Sequence, residues 1–131
     1  MGCIFVHILL AVDNVLERFV TENAKIKLLK DEEILRAATE SSRVDKALQK
    51  YTMDARLGGS LNDDSRLIQK AQKRVKDARI VFTTCAGSAL GILRKAEFGI
   101  VLIDEASQIS EPTALIPLVK GCMTAVMVGD Q

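Results

Sequence analysis

Hydrophobic residues along the chain group into short runs typical of strands, separated by segments with helical spacing. Residues 3–12 are almost continuously apolar and predict a buried strand, and residues 12–20 then repeat at the spacing of one helical face. Further apolar runs at 80–82, 100–103 and 125–128 predict three more strands. Strands that alternate with helices are typical of an α/β protein with a parallel sheet and flanking helices.

The middle of the chain departs from this alternation. Ile26 and Leu28 alternate with lysines, which predicts a short half-buried strand, whereas residues 31–51 and 67–75 have the spacing of amphipathic helices. We interpret residues 31–78 as a helical insertion beside the sheet.

Two further helices are predicted between the later strands. Residues 90–93 predict the first of them. Ser110 and Pro112 predict the start of the second, because serine can cap a helix and proline is tolerated in its first turn. Pro117 should bend or end that helix.

Composition and charge describe one globular domain without a general affinity for polyanions. The chain has 131 residues, 48% of them hydrophobic, and a formal net charge of +1. A local basic face occurs at the end of the insertion. Its cations are Arg66, Lys70, Lys73, Arg74, Lys76 and Arg79. These cations fit contacts to a phosphate backbone or, alternatively, a solvated helix face, since no aromatic residue lies among them to stack on bases.

The cysteines and the apolar N-terminal run narrow the cellular setting. Cys3, Cys85 and Cys122 are odd in number and widely spaced, which predicts reduced thiols in a cytoplasmic or nuclear protein rather than a zinc site. Residues 3–12 are too few to cross a bilayer and have no preceding lysine or arginine. We expect no membrane association.

The stretch from Gly99 to Gln108 carries the strongest chemical signal. Four apolar residues, three of them β-branched, are followed at once by Asp104 and Glu105. In open α/β sheets ligands bind beyond the carboxyl ends of strands, which would place Asp104 at a magnesium ion and Glu105 nearer the reacting phosphate. This pattern is the Walker B signature of nucleoside triphosphatases. The alternative is a core strand that ends in two solvated acids.

Three predicted loops should meet at the same edge of the sheet. Residues 83–85, 104–108 and 129–130 each follow a predicted strand. Because parallel strands end at one edge, we expect these loops to form a common nucleotide-handling edge.

Several motifs in the last third of the chain point to one family. From Ile80 to Asp130 they are, in order, Thr-Thr-Cys, Ile-Asp-Glu-Ala-Ser-Gln, Glu-Pro, Leu-Ile-Pro-Leu-Val-Lys-Gly-Cys and Val-Gly-Asp. They resemble the first RecA-like domain of superfamily-one helicases, especially the nonsense-mediated-decay type. Ala-Val-Asp-Asn near the N-terminus is similar to the helix after motif Ia of that family. The resemblance implies that residues 1–131 are part of a RecA-like helicase domain, from motif Ia to the start of motif III.

The resemblance also implies roles for individual residues of a helicase that uses ATP and Mg²⁺. Asp104 would hold the metal through water, Glu105 would activate the attacking water, and Gln108 would face the nucleotide. Gly129 and Asp130 would begin motif III, which couples nucleotide state to nucleic acid.

Further residues are implied at the nucleic-acid track. Thr83 and Thr84, together with Asp13 and Asn14, would lie close to single-stranded RNA or DNA. Helicase-regulating proteins are a further implied class of partner.

The sequence also departs from the family. It contains no Gly-x-x-x-x-Gly-Lys-Ser/Thr loop for the β- and γ-phosphates, and His7 to Leu9 replace the family's Pro-Ser-Asn. We therefore expect a helicase fragment, from a truncated product or an incomplete gene model, that is inactive by itself. The alternatives are a non-catalytic module that binds nucleic acid or a partner protein through residues 66–79, and another phosphate-loop ATPase.

Overall fold

The computed structural model describes residues 2–7, 11–38, 41–53, 65–89 and 91–130. Five parallel strands form one sheet in the order β2-β3-β1-β4-β5. The strands are β1 (Gly2–His7), β2 (Ile34–Arg36), β3 (Ile80–Thr84), β4 (Phe98–Ile103) and β5 (Thr124–Met127). The α-helices described in full are α1 (Ala11–Ile26), α2 (Ser65–Asp77) and α3 (Glu111–Leu118). The predicted α/β fold with a parallel sheet is confirmed.

Helices cover the two faces of the sheet according to the direction of each connection. On one face, Val12 and Leu16 of α1 pack in a cluster with Phe82 of β3. The ring centroids of Phe82 and Phe19 are 5.3 Å apart. On the other face α2 contributes Ala71 and Val75 to a second cluster. The connection from β1 to β2 runs opposite to the later ones across the sheet. Helices on opposite faces are therefore expected if every crossover has the same hand.

The region around residue 27 differs from its prediction. The predicted strand at Ile26 and Leu28 is wrong, because α1 continues to Ile26 and ends where Lys27 adopts a left-handed conformation with φ 51°. The buried Asn23 side chain then holds the backbone of Leu29, accepting from its N–H at 2.9 Å and donating to its carbonyl at 2.8 Å. These two bonds fix the turn that leads toward β2.

The helix predicted over residues 31–51 is also wrong. This region contains short 3-10 turns and the strand β2, whose Ile34 pairs with Ile80 of β3. Three residues are too few to show strand periodicity, and the neighbouring charges imitate an amphipathic helix. Pairing with β3, which lies far along the chain, decides the conformation. The predicted helix over residues 67–75 is confirmed as α2, and residues 54–64 lie outside the described residues. The interpretation of residues 31–78 as a region beside the sheet is wrong for Ile34–Arg36, because β2 is a strand of the sheet.

Between β3 and β4 the predicted helix is replaced by two 3-10 turns, Ala86–Ala89 and Gly91–Leu93. Gly91 has φ 51°, a left-handed conformation that interrupts a regular helix, while Leu90 lies outside the described residues. The helix start at Ser110 and the strand near residue 125 are confirmed as α3 and β5. Among the helices that the structure describes, none is both long and apolar enough to cross a membrane.

The two edge strands of the sheet have opposite environments. All three residues of β2 are buried, and Thr52 forms a bridge with Arg36 at its outer side. All four residues of β5 are exposed. Among the described residues, the β2 edge is covered by other parts of the chain, whereas the residues of β5 are exposed.

Candidate functional site

The acidic pair lies where the buried strand β4 ends, at the carboxyl edge of the parallel sheet. Val101 and Ile103 are fully buried, whereas Asp104 and Glu105 are half-buried and reach the surface. The backbone N–H of Glu105 donates to Asp104 Oδ1 at 3.0 Å. Burial of the strand therefore holds both carboxyl groups at the edge where ligands of such sheets bind.

Glu105 has an unusual backbone conformation, with φ 53° and ψ 39°. This left-handed conformation costs a residue with a side chain roughly 1–2 kcal/mol, and such strain clusters at functional sites. It turns the chain sharply after the strand, so that residues 106–108 form a 3-10 turn above the sheet edge.

Gln108 lies beside Glu105 as a result of that turn. Its backbone N–H donates to the Glu105 carbonyl at 3.0 Å, and its side-chain amide Nε2 donates to Glu105 Oε2 at 3.2 Å. One carboxylate oxygen of Glu105 is thereby held by an amide. The structure brings together the two residues that were predicted to be catalytic.

The end of β5 packs closely against this turn. The backbone N–H of Val128 donates to the Ile103 carbonyl at 2.9 Å, and the backbone N–H of Ala106 donates to the Val128 carbonyl at 2.8 Å. A Cβ added at Gly129 would lie 2.9 Å from the backbone nitrogen of Ser107, so this approach requires glycine. Asp130 follows directly and is exposed. The loops after β4 and β5 therefore meet as predicted.

The two threonines at the carboxyl end of β3 have different environments. Thr83 is 1% exposed, and its hydroxyl has no hydrogen-bond partner among the described residues. Thr84 is half-buried, and its hydroxyl accepts the backbone N–H of Gly87 at 2.9 Å. Burial raises the pKa of the neighbouring Cys85 thiol, which keeps it protonated and unreactive at neutral pH. Because β1 lies between β3 and β4, this loop is set apart from Asp104.

Asp13 and Asn14 lie in the first turns of α1. Asp13 Oδ1 forms an ion pair with Arg36 Nε at 2.7 Å, and Arg36 Nη1 also donates to the Ala37 carbonyl at 2.8 Å. Asn14 is exposed. The sequence did not single out Arg36, because its strand was predicted to be helical. Arg36 directly follows the apolar residues Ile34 and Leu35. If this segment had been interpreted as a strand, Arg36 would have been predicted at the carboxyl edge of the sheet.

The carboxyl groups at the site fit a metal that arrives with a nucleotide. Among the described residues no group of three His, Cys, Asp or Glu side chains is placed to hold a metal ion. Magnesium in phosphate-handling sites is commonly bound by one or two carboxylates, waters and substrate phosphates. Asp104, half-buried at the sheet edge, is a suitable single protein donor for that arrangement.

With this geometry in place, comparison with known proteins decides the family. A family model described as AAA domain matches residues 60–131, which include the Asp104–Gln108 turn and Gly129. The chain belongs to this AAA domain family.

Two of the three relatives described here are named as helicases, and the third is named as a regulator of nonsense transcripts. "ATP-dependent helicase upf1" of Schizosaccharomyces pombe is 40% identical over 75 residues, covering 54% of this chain. "Regulator of nonsense transcripts 1 homolog" of Arabidopsis thaliana is 35% identical over 94 residues, or 70% of the chain. "5'-3' DNA helicase ZGRF1" of Mus musculus is 39% identical over 57 residues, or 43% of the chain. The predicted membership of the superfamily-one helicases of the nonsense-mediated-decay type is confirmed.

The match covers a small part of each relative. This AAA domain spans 8% of the length of the Schizosaccharomyces and Arabidopsis proteins and 3% of the mouse protein.

Proposed function

We propose that this chain forms the part of an ATP-dependent helicase domain that handles the magnesium-bound triphosphate. The observation that supports the proposal most directly is the turn after β4. Glu105 is held there in a left-handed conformation, its carboxylate accepts from Gln108, and Gly129 of the neighbouring strand end packs against the turn.

Each residue at this edge has a role in the proposal. Asp104 would hold Mg²⁺ through water, and the metal would supply charge neutralisation at the phosphates. Glu105 would orient a water for attack and accept its proton, while the amide of Gln108 keeps the carboxylate oriented. Gly129 and Asp130 would move with the Glu105 turn, because Gly129 lies in contact with that turn.

Single-stranded RNA or DNA is the proposed partner. The relatives' names mention nonsense transcripts and DNA, so both nucleic acids are considered. Asn14 and Thr84 are accessible for phosphate contacts, whereas Asp13 is engaged by Arg36 and Thr83 is buried. Helicase-regulating proteins and a cytoplasmic or nuclear location remain parts of this proposal.

The chain by itself is proposed to bind ATP weakly and to hydrolyse none. Its sequence contains no Gly-x-x-x-x-Gly-Lys-Ser/Thr loop, so it lacks the backbone amides and lysine that hold the β- and γ-phosphates. The remaining contribution of Asp104 and Glu105 is a site for the metal and the attacking water.

A magnetic resonance titration tests this proposal on the chain as it exists. Addition of Mg²⁺ and ATP should shift the backbone amide signals of residues 104–108 and 129–130, and Asp104→Asn should abolish these shifts. Asp77→Asn removes an exposed carboxylate at the end of α2 and serves as the matched control. Shifts confined to other regions, or unchanged in Asp104→Asn, would contradict the proposal.

A second candidate, a binding module without catalysis, is favoured by the basic face of α2. Lys70, Lys73 and Lys76 are exposed there, whereas Arg74 is half-buried and donates to the Ile34 carbonyl at 3.2 Å. Binding of single-stranded RNA that falls steeply with salt and weakens in Lys70→Gln/Lys73→Gln would support this candidate. Salt-independent binding, or binding unchanged in that variant, would exclude it.

A further inference from the structure

A cleft at the amino edge of the sheet is a feature that the proposed function does not use. It lies before the first residues of β4 and β5, between the end of α3 and the turn Gly91–Leu93, and has a volume of about 530 Å³. Because Asp104 and Glu105 follow β4, the cleft and the candidate site lie at opposite ends of the strands. A cleft of this volume is in the range that holds small molecules.

Hydrogen bonds join the two segments of chain that form the cleft. The backbone N–H of Phe98 donates to the Lys120 carbonyl at 2.9 Å, and Lys120 Nζ donates to the Arg94 carbonyl at 2.8 Å. Leu93 and Phe98, which flank the first segment, are buried in a core cluster. The backbone around the cleft is therefore anchored to the core of the domain.

Positive charge predominates around the cleft. Its charged side chains are three cations, Arg94, Lys95 and Lys120, and one carboxylate, Glu97, which gives a net charge of +2. Among the described residues, no carboxylate forms an ion pair with these cations. The Glu97 side chain instead lies along Gly121, with its Cβ 3.4 Å from the position that a Cβ would take there. The described part of the chain therefore leaves the positive charge of the cleft without a counter-charge.

Lys120 is the cation of the cleft that loses most hydration. Its side chain is half-buried, and burial lowers the pKa of its ammonium group. An ammonium group has three protons to donate, and the structure gives it the Arg94 carbonyl as a partner for one of them. An anion in the cleft would stabilise the charged form of Lys120.

One wall of the cleft is apolar. Ile116 of α3 is half-buried there, and Val119, directly after α3, is 77% exposed. A bare inorganic anion would contact the cations and leave this wall uncovered. The lining and the volume together fit an anion that also carries an apolar organic part.

We propose that this cleft binds a small phosphate monoester with an apolar organic part. Near neutral pH such a phosphate carries a charge of about −1.5 to −2, which balances the net charge of the cleft. The Arg94 guanidinium donates two N–H groups to the phosphate oxygens, Lys95 and Lys120 add point charges, and the organic part lies against Val119. Charge and size, rather than exposure of the surface, identify this class of ligand. The inference does not depend on the proposed function.

A magnetic resonance titration with phenyl phosphate, in the absence of Mg²⁺, tests this site on the chain as it exists. Phenyl phosphate should shift the backbone amide signals of residues 94–97 and 120–121 and leave those of residues 104–108 in place. Arg94→Gln should weaken binding about tenfold, because it removes a charged donor but keeps the backbone carbonyl that holds Lys120. Arg18→Gln removes an exposed arginine of α1 and is the matched control, with affinity unchanged. Absence of shifts at the cleft, or equal affinity in Arg94→Gln and Arg18→Gln, would overturn the proposal.

Two further anions test the class of ligand. Inorganic phosphate should bind roughly fivefold more weakly than phenyl phosphate, because it buries none of the apolar wall. Succinate should also bind more weakly, because it divides its two charges between separate carboxylates. Equal affinity for inorganic phosphate would rule out recognition of an organic part. Equal or tighter binding of succinate would assign the cleft to carboxylates, such as those of an acidic protein segment, and either result would contradict a site for a phosphate monoester.

Discussion

The two edge strands of the sheet, β2 and β5, differ in how far the described part of the chain covers them. At β2, residues 41–53 cover the edge: Val44, Leu48 and Tyr51 pack in the cluster that includes Ile34, and Thr52 bridges to Arg36. At β5, no described element covers the outer side, and its apolar side chains face solvent. Burial of an edge strand in this structure therefore depends on whether residues elsewhere in the described chain pack against it.

The two edge regions of the sheet are also expected to contribute differently to folding stability and to the candidate site. Residues 41–53 cover the β2 edge, where the buried Arg36 forms an ion pair with the half-buried Asp13. The candidate site lies toward the opposite edge of the sheet, where the loops after β4 and β5 meet. We therefore expect substitutions at the β2 edge to affect folding most strongly, and those near the end of β5 to affect mainly the site.

The largest expected effect comes from uncovering the β2 edge with Tyr51→Ala. Tyr51 is 1% exposed, so removal of its ring should lower the free energy of unfolding by about 4 kcal/mol. Urea denaturation measures the loss. Tyr51→Phe is the control and should lose less than about 1 kcal/mol, because the ring stays in place while the hydroxyl that donates to Asp31 at 3.3 Å is removed. Equal losses in both variants would contradict the packing role.

Asp13→Ala should have the next largest effect. It leaves Arg36, whose side chain is 8% exposed, without its carboxylate, at a cost of about 3 kcal/mol. The estimate is at the low end of the range for buried pairs because the Asp13 side chain is 23% exposed. Urea denaturation of Asp13→Ala/Arg36→Met should show recovery of most of the loss. If the double variant recovers no stability, the buried Arg36 charge is not the cause of the loss in Asp13→Ala.

Gly129→Ala tests the contact between the open side and the candidate site. A Cβ would lie 2.9 Å from the Ser107 nitrogen and 3.1 Å from the Ala106 nitrogen, which should lower stability by about 2 kcal/mol. The neighbouring Val128→Ala is the control, and we expect a loss below about 0.5 kcal/mol because that side chain is 55% exposed. Thermal unfolding of the two variants gives the comparison, and similar midpoints would argue against a tight contact.

Glu105→Gly should have the smallest effect on stability, with the opposite sign. Glycine relieves the left-handed backbone at φ 53° and should stabilise the chain by about 0.5–1 kcal/mol, after allowance for its greater freedom when unfolded. Glu105→Gln keeps the strain and should change stability little. Both variants keep Asp104, so Mg²⁺ and ATP should still shift the amide signals of residues 104–108. If Glu105→Gly is less stable than Glu105→Gln, the strain argument is wrong.

Local patterns allowed much of the site to be predicted. The apolar run before Asp104 and the repeated strand ends identified a carboxyl edge, and the structure brings Glu105, Gln108 and Gly129 together there. The left-handed conformation of Glu105 was not predicted, because glutamate seldom adopts it and nothing in the adjacent residues requires it. The contacts of the turn with Val128 and Gly129 come from residues distant in sequence, which no local pattern around Glu105 reveals.

The sequence by itself determined the α/β class, the central strands and the acidic turn, because runs of apolar residues and turn residues encode burial and chain direction over a few positions. The tertiary structure decided that Ile34–Arg36 form a strand, that Arg36 pairs with Asp13, and that residues 41–53 cover the β2 edge. These outcomes depend on contacts between residues distant in sequence, such as Ile34 with Ile80, and no local pattern specifies which distant strand a segment will join.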